Sequence, residues 1–153
     1  MVFIRLGLFF LGYHYVRESG APAPRSVAPV VVSNHSSFVE TFYLTQKLSA
    51  CGMSDKGIAD IPILGAVLGA MEFVLVDKAD PESRFKAAAA MRTQLASPKG
   101  SHFLAFAEGQ TTNGTRLISF KDGAFRLGLA VQPAAVTYPA GRAELGRDEV
   151  RLG

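Results

Sequence analysis

The chain has 153 residues, enough for one domain with a single substantial core. A 48% hydrophobic and 19% charged composition excludes intrinsic disorder, and no run reaches the roughly 20 apolar residues of a spanning helix. The net charge of +3 suits an anionic lipid or a phosphorylated ligand, and is too small and scattered to indicate nucleic acid.

Val2 to Val16 (VFIRLGLFFLGYHYV) is almost wholly apolar, interrupted by Arg5 and His14. As one helix it would span roughly 22 Å, short of the roughly 30 Å hydrocarbon core of a bilayer. Three readings compete. It is the apolar region of a secretory signal cleaved near Ala21-Pro22-Ala23, a buried core helix, or an anchor lying in a membrane interface. In the last case Phe3, Phe9, Phe10, Tyr13 and Tyr15 supply apolar bulk, with Arg5, His14 and Arg17 at head-group level. A single basic residue in the leader and the lack of paired cysteines weigh against secretion. Residues 1–17 are therefore assigned to an apolar interfacial helix, 18–29 to a Pro-rich connector, 30–139 to the main domain and 140–153 to a polar tail.

Val30-Val31-Val32, bounded by Pro29 and Ser33-Asn34, reads as a buried strand. Helical patterning follows over Phe38–Leu48, then a weak strand pattern over Met53–Ala59. Pro62–Ala70 is helical with Pro62 in its first turn, and Gly65 and Gly69 within it suit close helix packing. Glu72–Val76 is a strand. Asp80-Pro81-Glu82 combines a capping carboxylate, a first-turn proline and an acid, so a helix starts there and stops before Pro98-Lys99-Gly100. His102–Phe106 is a strand, Gly123–Leu129 a short helix and Val131–Thr137 a further strand. Arg142 to Arg151 carries no further core element. Short apolar strands alternating with helices predict an α/β fold with a largely parallel sheet flanked by helices.

Ligands of such sheets bind where loops leave the carboxyl ends of strands, here Ser33–Glu40, Val76–Asp80 and Phe106–Thr112. His35 follows a strand directly, and an imidazole with an ordinary pKa of about 6.5 can act as a general base. Glu40 lies five residues on. Two helical positions so spaced differ by about 140°, but a turn between strand and helix lets the carboxylate reach the ring. There it would hold the tautomer and stabilise an imidazolium. Glu108 leaves an apolar strand in FAEGQTTNG, beside Gly109, whose lack of a side chain lets backbone approach a ligand. Lys78 could meet a phosphate as a point charge. Taken singly, each of these is also compatible with a capping residue, an ordinary turn or a surface charge. His14 and His102 lack metal-ligand spacing, and Cys51 stands alone, so no metal site is expected. No G-x-S-x-G elbow accompanies Ser36 and Ser37, which suit helix capping better than hydrolase chemistry.

Together these segments resemble the PlsC-like glycerolipid and lysophospholipid acyltransferases. NHSSFVE matches that family's first motif, His, four residues, then Asp. FAEGQ is similar to its Phe-Pro-Glu-Gly-Thr third motif, IPILGAVLGAMEFVLVDK to the second and VQPAAVTYP to the fourth. The stretch EGQTTNGTRLISFKDGAF looks most like the lysophosphatidylcholine and lysophosphatidylethanolamine acyltransferase branch. The motifs occur in family order across most of Val30 to Pro139.

The resemblance implies acyl transfer from acyl-CoA, a co-substrate, to the free hydroxyl of a lysophospholipid or related glycerol phosphate. No bound cofactor or metal is implied. His35 would be the general base and Glu40 its orienting carboxylate. Glu108 and Gly109 would shape the acceptor pocket, and Lys78 would contact phosphate. A membrane-associated enzyme on the cytosolic face is expected, at the endoplasmic reticulum if the source is eukaryotic. Four departures from the pattern stand out. Glu40 replaces Asp, Ala107 replaces Pro, Gln110 replaces Thr, and Lys78 replaces Arg with loss of bidentate recognition. Thr111 falls where many glycerol-phosphate acyltransferases carry a phosphate-binding Arg, so that phosphate contact is absent here, as it is in the branch named above. Two other readings use the same residues: an inactive lipid-binding module, and a thioesterase in which the His–carboxylate pair activates water.

Overall fold

The valine run becomes the middle strand of a seven-stranded sheet, in a computed structural model that describes residues 2–97, 100–113, 118–138 and 148–152. In chain order the elements are α1 (Val2–Phe10), β1 (Val16–Ser19), β2 (Val30–Ser33), α2 (Val39–Leu48), β3 (Ala50–Asp55) and α3 (Lys56–Ala59). They continue with α4 (Pro62–Ala70), β4 (Val74–Val76), α5 (Pro81–Ala96), β5 (His102–Phe106), a 3-10 turn at Phe125–Leu127, β6 (Val131–Thr137) and β7 (Asp148–Leu152). The strand order is β1-β7-β6-β2-β5-β3-β4. Neighbours run parallel except β6 and β7, which are antiparallel. The α/β class and the largely parallel, helix-flanked sheet are as the sequence predicts.

Why β2 is apolar on consecutive residues follows from the layers. Val31 packs with Leu44 and Leu48 of α2 on one face, whereas Val30 and Val32 pack with Met91 of α5 on the other. Both faces are covered, so alternation disappears from the central strand. β5 behaves alike, with Leu104 on the α2 side and Phe103 on the α5 side. α5 begins where the sequence places it. Asp80 accepts hydrogen bonds from the backbone N–H groups of Glu82 and Ser83 at 2.9 and 3.1 Å, and Pro81 takes the first position. Pro98 and Lys99, beyond its end, lie outside the described residues.

Several expectations are corrected. The first helix ends at Phe10 rather than running on to Val16. Gly12 adopts a left-handed φ of 93°, its N–H bonds to Phe9 O, and Tyr13 N–H bonds to Leu8 O. That pair of bonds is a glycine-terminated helix stop. The chain then extends into β1, made of residues first divided between helix and connector. The connector is held in place: the Gln132 side chain accepts from Ala23 N and donates to Ala21 O, while Arg25 donates to Ser101 O and Leu95 O. Met53–Ala59 is the end of β3 followed by α3, because the Asp55 side chain accepts from Gly57 N–H at 2.9 Å and starts a helical turn. Gly123–Leu129 shrinks to one 3-10 turn, closed by Gly128 at φ 68°. The polar tail supplies β7, whose Glu149-Val150-Arg151-Leu152 alternation is a strand period; residues 139–147 before it, which include the end of the fourth motif, lie outside the described residues. Among the described residues, β1 joins the sheet only through β7.

α1 buries Leu8 and exposes Leu6, Phe9 and Phe10, with Leu11 and Tyr15 exposed just after it. No helix among the described residues is long and apolar enough to cross a membrane.

Of the two α4 glycines, only Gly65 is tightly packed. A Cβ added there would lie 2.1 Å from the Ala59 carbonyl oxygen, whereas one at Gly69 meets nothing within 4 Å. Gly65→Ala is therefore expected to lower unfolding free energy by about 1–3 kcal/mol through overpacking. Gly69→Ala should be neutral or gain up to about 1 kcal/mol in helix propensity. Urea denaturation of both variants checks this; equal midpoints would refute the packing role of Gly65.

Candidate active site

The sheet register brings the polar loops together. Ser33 of β2 pairs with Phe106 of β5 and with Ala134 of β6, so β2 and β5 end level while β6 runs on three residues to Thr137. Two residues beyond the pair Ser33–Phe106 lie His35 and Glu108. Asn34 extends the ladder with its side chain, donating to Val136 O at 2.9 Å and accepting from Val136 N–H at 2.8 Å. This holds the start of the histidine loop against the end of β6.

Glu40, in the first turn of α2, has a side chain with no solvent exposure. The helix has no side-chain cap from Phe38, and the Glu40 carboxylate turns back to collect donors from the turn that precedes it. One oxygen, Oε1, accepts the backbone N–H of Ser36, the backbone N–H of Ser37 at 2.6 Å and His35 Nδ1 at 3.2 Å. The other, Oε2, accepts the Tyr138 hydroxyl. Burial pushes the Glu40 carboxyl up, but the bonds from His35, Tyr138 and Ser37 outweigh it and hold the group below the usual carboxylate range. Burial, reinforced by the Glu40 charge, pushes the Tyr138 phenol far up, so it remains a donor.

An anionic carboxylate at Nδ1 requires the proton on that nitrogen, which leaves a lone pair on Nε2. Thr111 Oγ1 lies 2.9 Å from Nε2. The Phe106 ring stacks on the imidazole at a centroid distance of 4.1 Å and an angle of 17°. The ring is thus braced on a face and at one nitrogen, with the basic nitrogen directed to an exposed loop. Such an arrangement can take a proton from a hydroxyl and stabilise the resulting imidazolium.

Glu108 does something different from lining an open pocket. Its buried carboxylate accepts the His35 backbone N–H at 2.9 Å and the Thr112 hydroxyl at 2.7 Å. Thr112 N–H in turn bonds His35 O at 2.8 Å. The third-motif loop is thereby fastened to the histidine backbone. Gly109 has φ 70°, a conformation that favours glycine, and a Cβ there would sit 3.1 Å from Lys121 Cγ. Lys78 is not brought to this cluster. It follows β4, three strand positions from β2, about 14 Å at the usual strand spacing, and its ammonium lies 3.6 Å from the Asp55 carboxylate. Asn34, Tyr138 and Thr112 join this cluster and Lys121 lies over Gly109, all four passed over by pattern reading. For Tyr138 the available signal was its position at the end of VQPAAVTYP.

The remaining candidates stand apart. His102 lies between two carbonyls, its Nδ1 3.0 Å from Leu48 O and its Nε2 3.2 Å from Ala23 O, and its ring N–H donates within that pair. Burial pushes the Cys51 thiol up, away from nucleophilic character. Ser37 Oγ accepts from Val39 N–H as a cap. Among the described residues no group of three or more His, Cys, Asp and Glu is placed to hold a metal ion. A shallow apolar cleft adjoins the carboxylate, lined by Leu8, Tyr13, Val39, Tyr43 and Val136 together with Tyr138.

A family model described as Acyltransferase matches residues 16–139. The lysophospholipid acyltransferase LPEAT2 of Arabidopsis thaliana is 37% identical over 132 residues, covering 86% of this chain and 24% of that protein. The lysophosphatidylcholine acyltransferase of Drosophila melanogaster is 34% identical over 138 residues, 89% of this chain and 26% of its own length. The chain thus spans about a quarter of the length of these curated relatives. Among solved structures, the 1-acyl-sn-glycerophosphate acyltransferase PlsC of Thermotoga maritima superposes with a TM-score of 0.72 at 18% identity, over 97% of this chain and 64% of that one. That likeness is one of fold.

Because the Glu40 carboxyl titrates lower when folded than its ordinary 4.5, its ionised form stabilises the fold above that value, and the contribution is lost as pH falls through the folded pKa. Urea unfolding free energy is expected to decline on acidification below about pH 4.5 and to decline less steeply in Glu40→Gln. Equal slopes in the two proteins would contradict the assignment.

Proposed function

The chain belongs to the acyltransferase family, and from that premise we propose that it transfers a fatty acyl group from acyl-CoA to the free hydroxyl of a lysophospholipid. The observation that carries this reading is the Nε2 lone pair of His35, fixed by a buried anionic Glu40 at Nδ1. As the acceptor hydroxyl oxygen attacks the thioester carbonyl, its proton passes to Nε2. The tetrahedral intermediate collapses, the carbon–sulfur bond breaks and the imidazolium returns the proton to the CoA sulfur. Glu40 stabilises the imidazolium, and Tyr138 with the Ser36 and Ser37 backbone keeps Glu40 in place. Proton transfer of this kind contributes about 10²–10⁴-fold, and substrate positioning supplies much of the rest.

The acceptor phosphate is assigned to Lys121, whose stem lies over Gly109 beside the histidine loop, in preference to the distant Lys78. In a CoA-release assay with lysophosphatidylethanolamine as acceptor, His35→Ala should lose at least about 10²-fold in kcat. Lys121→Ala should raise the acceptor KM about tenfold, the scale of a hydrogen bond to a charged group, and Lys78→Ala should leave KM unchanged. Transfer that survives His35→Ala refutes the mechanism. Free fatty acid without esterified lipid would indicate a thioesterase, and lipid binding without CoA release an inactive binding module.

The exposed Leu6, Phe9, Phe10, Leu11 and Tyr15 support association with a membrane surface by insertion of an apolar face. Phe10 is 78% exposed, so its cost to the isolated fold is small. Phe10→Asp is expected to weaken co-sedimentation with phosphatidylcholine–phosphatidylserine vesicles about tenfold or more, given the transfer energy of a phenyl group. Undiminished sedimentation would remove this anchor.

A further inference from the structure

Thr111 Oγ1 sits 2.9 Å from His35 Nε2, on the nitrogen opposite the one held by Glu40. With the ring proton at Nδ1, Nε2 can only accept, so the Thr111 hydroxyl is the donor. The residue is exposed, but its backbone is anchored one position on, where Thr112 bonds both His35 O and Glu108. An alcohol awaiting deprotonation presents the same group to the same lone pair. Nε2 has one lone pair, so an acceptor hydroxyl and the Thr111 hydroxyl exclude one another.

We propose that Thr111 caps the base in the resting protein, holding the place of the acceptor hydroxyl and keeping water off Nε2. A threonine side chain leaves this position by rotation about a single bond, without moving the anchored backbone. One such hydrogen bond shifts an equilibrium by about fivefold. That is enough to disfavour a loose water, and small enough for an acceptor held by its other contacts to displace. The benefit rests on the acyl-transfer reading. A water deprotonated at Nε2 would attack the thioester carbonyl, the carbon–sulfur bond would break, and the proton would pass to sulfur, giving fatty acid and free CoA. Thr111 is thus a positioning residue that favours transfer over hydrolysis.

The cap can be read without turnover. Diethyl pyrocarbonate acylates an unprotonated imidazole, and peptide mapping of the full 153-residue chain follows His35 against exposed His14. His35 modification is expected to be about fivefold faster in Thr111→Ala than in the parent, one hydrogen bond's worth, with Thr111→Ser still protected and His14 unchanged throughout. Hydrolysis of palmitoyl-CoA without acceptor should rise by a similar factor in Thr111→Ala alone. Unaltered His35 modification in Thr111→Ala would overturn the cap, as would a palmitoyl ester found on Thr111 itself, which would make it a nucleophile. Faster His35 modification with no palmitoyl-CoA turnover in any variant would keep the cap and remove the acyl-transfer reading. Normal lipid acylation with unaltered modification would remove the cap alone.

Discussion

A carboxylate stripped of water must find its donors inside the protein, and the Glu40 side chain finds four: His35 Nδ1, two consecutive backbone N–H groups and a tyrosine hydroxyl. Burying an unpaired charge costs several kcal/mol, so the donors are as much a condition of the fold as of the chemistry. The backbone pair comes from the turn between β2 and α2, and the hydroxyl from the end of β6. Loss of one donor therefore strains the loop, the helix start and the sheet edge at once. The imidazole acquires its orientation as a consequence of satisfying that charge.

The parallel sheet makes this convergence cheap. β5, β2 and β6 are adjacent and in register, although they are separated in sequence by crossovers. Their carboxyl ends deliver Glu108, His35 and Tyr138 to one place. Glu108 repeats the logic of Glu40 on a smaller scale, spending its oxygens on the His35 backbone and on Thr112. Two inward carboxylates thus hold the loop rather than face a ligand. The side chains left facing outward at this edge, Thr111 and Lys121, are polar and exposed.

Sequence reading succeeded where a local rule was sufficient. The β-branched run of β2, the Asp80-Pro81 start of α5 and the bounds of β5 and β6 follow from composition, capping and punctuation. The pairing of His35 with Glu40 was legible because five residues lie between a strand end and a helix turn. Failures had equally specific causes. Gly12 ends α1 by a left-handed turn that an apolar run conceals, and Asp55 caps a turn inside a stretch that looks extended. The charge of residues 148–152 masked their alternation. Tyr138 meets Glu40 across 98 positions, a distance no periodicity spans. Where Lys78 lies relative to the His35 loop depends on the strand order, which puts β4 at an edge of the sheet and which no local pattern reveals.

The sheet contains one ordering constraint of another kind. Among the described residues β1 has a single neighbour, β7, and β7 lies between it and β6. On a ribosome emitting chain from the amino end, β1 emerges early yet has no slot to occupy until β7 has followed it out. Closure of that border of the sheet is therefore a late, long-range step with a correspondingly high contact order. Until then β1 remains an unpaired edge.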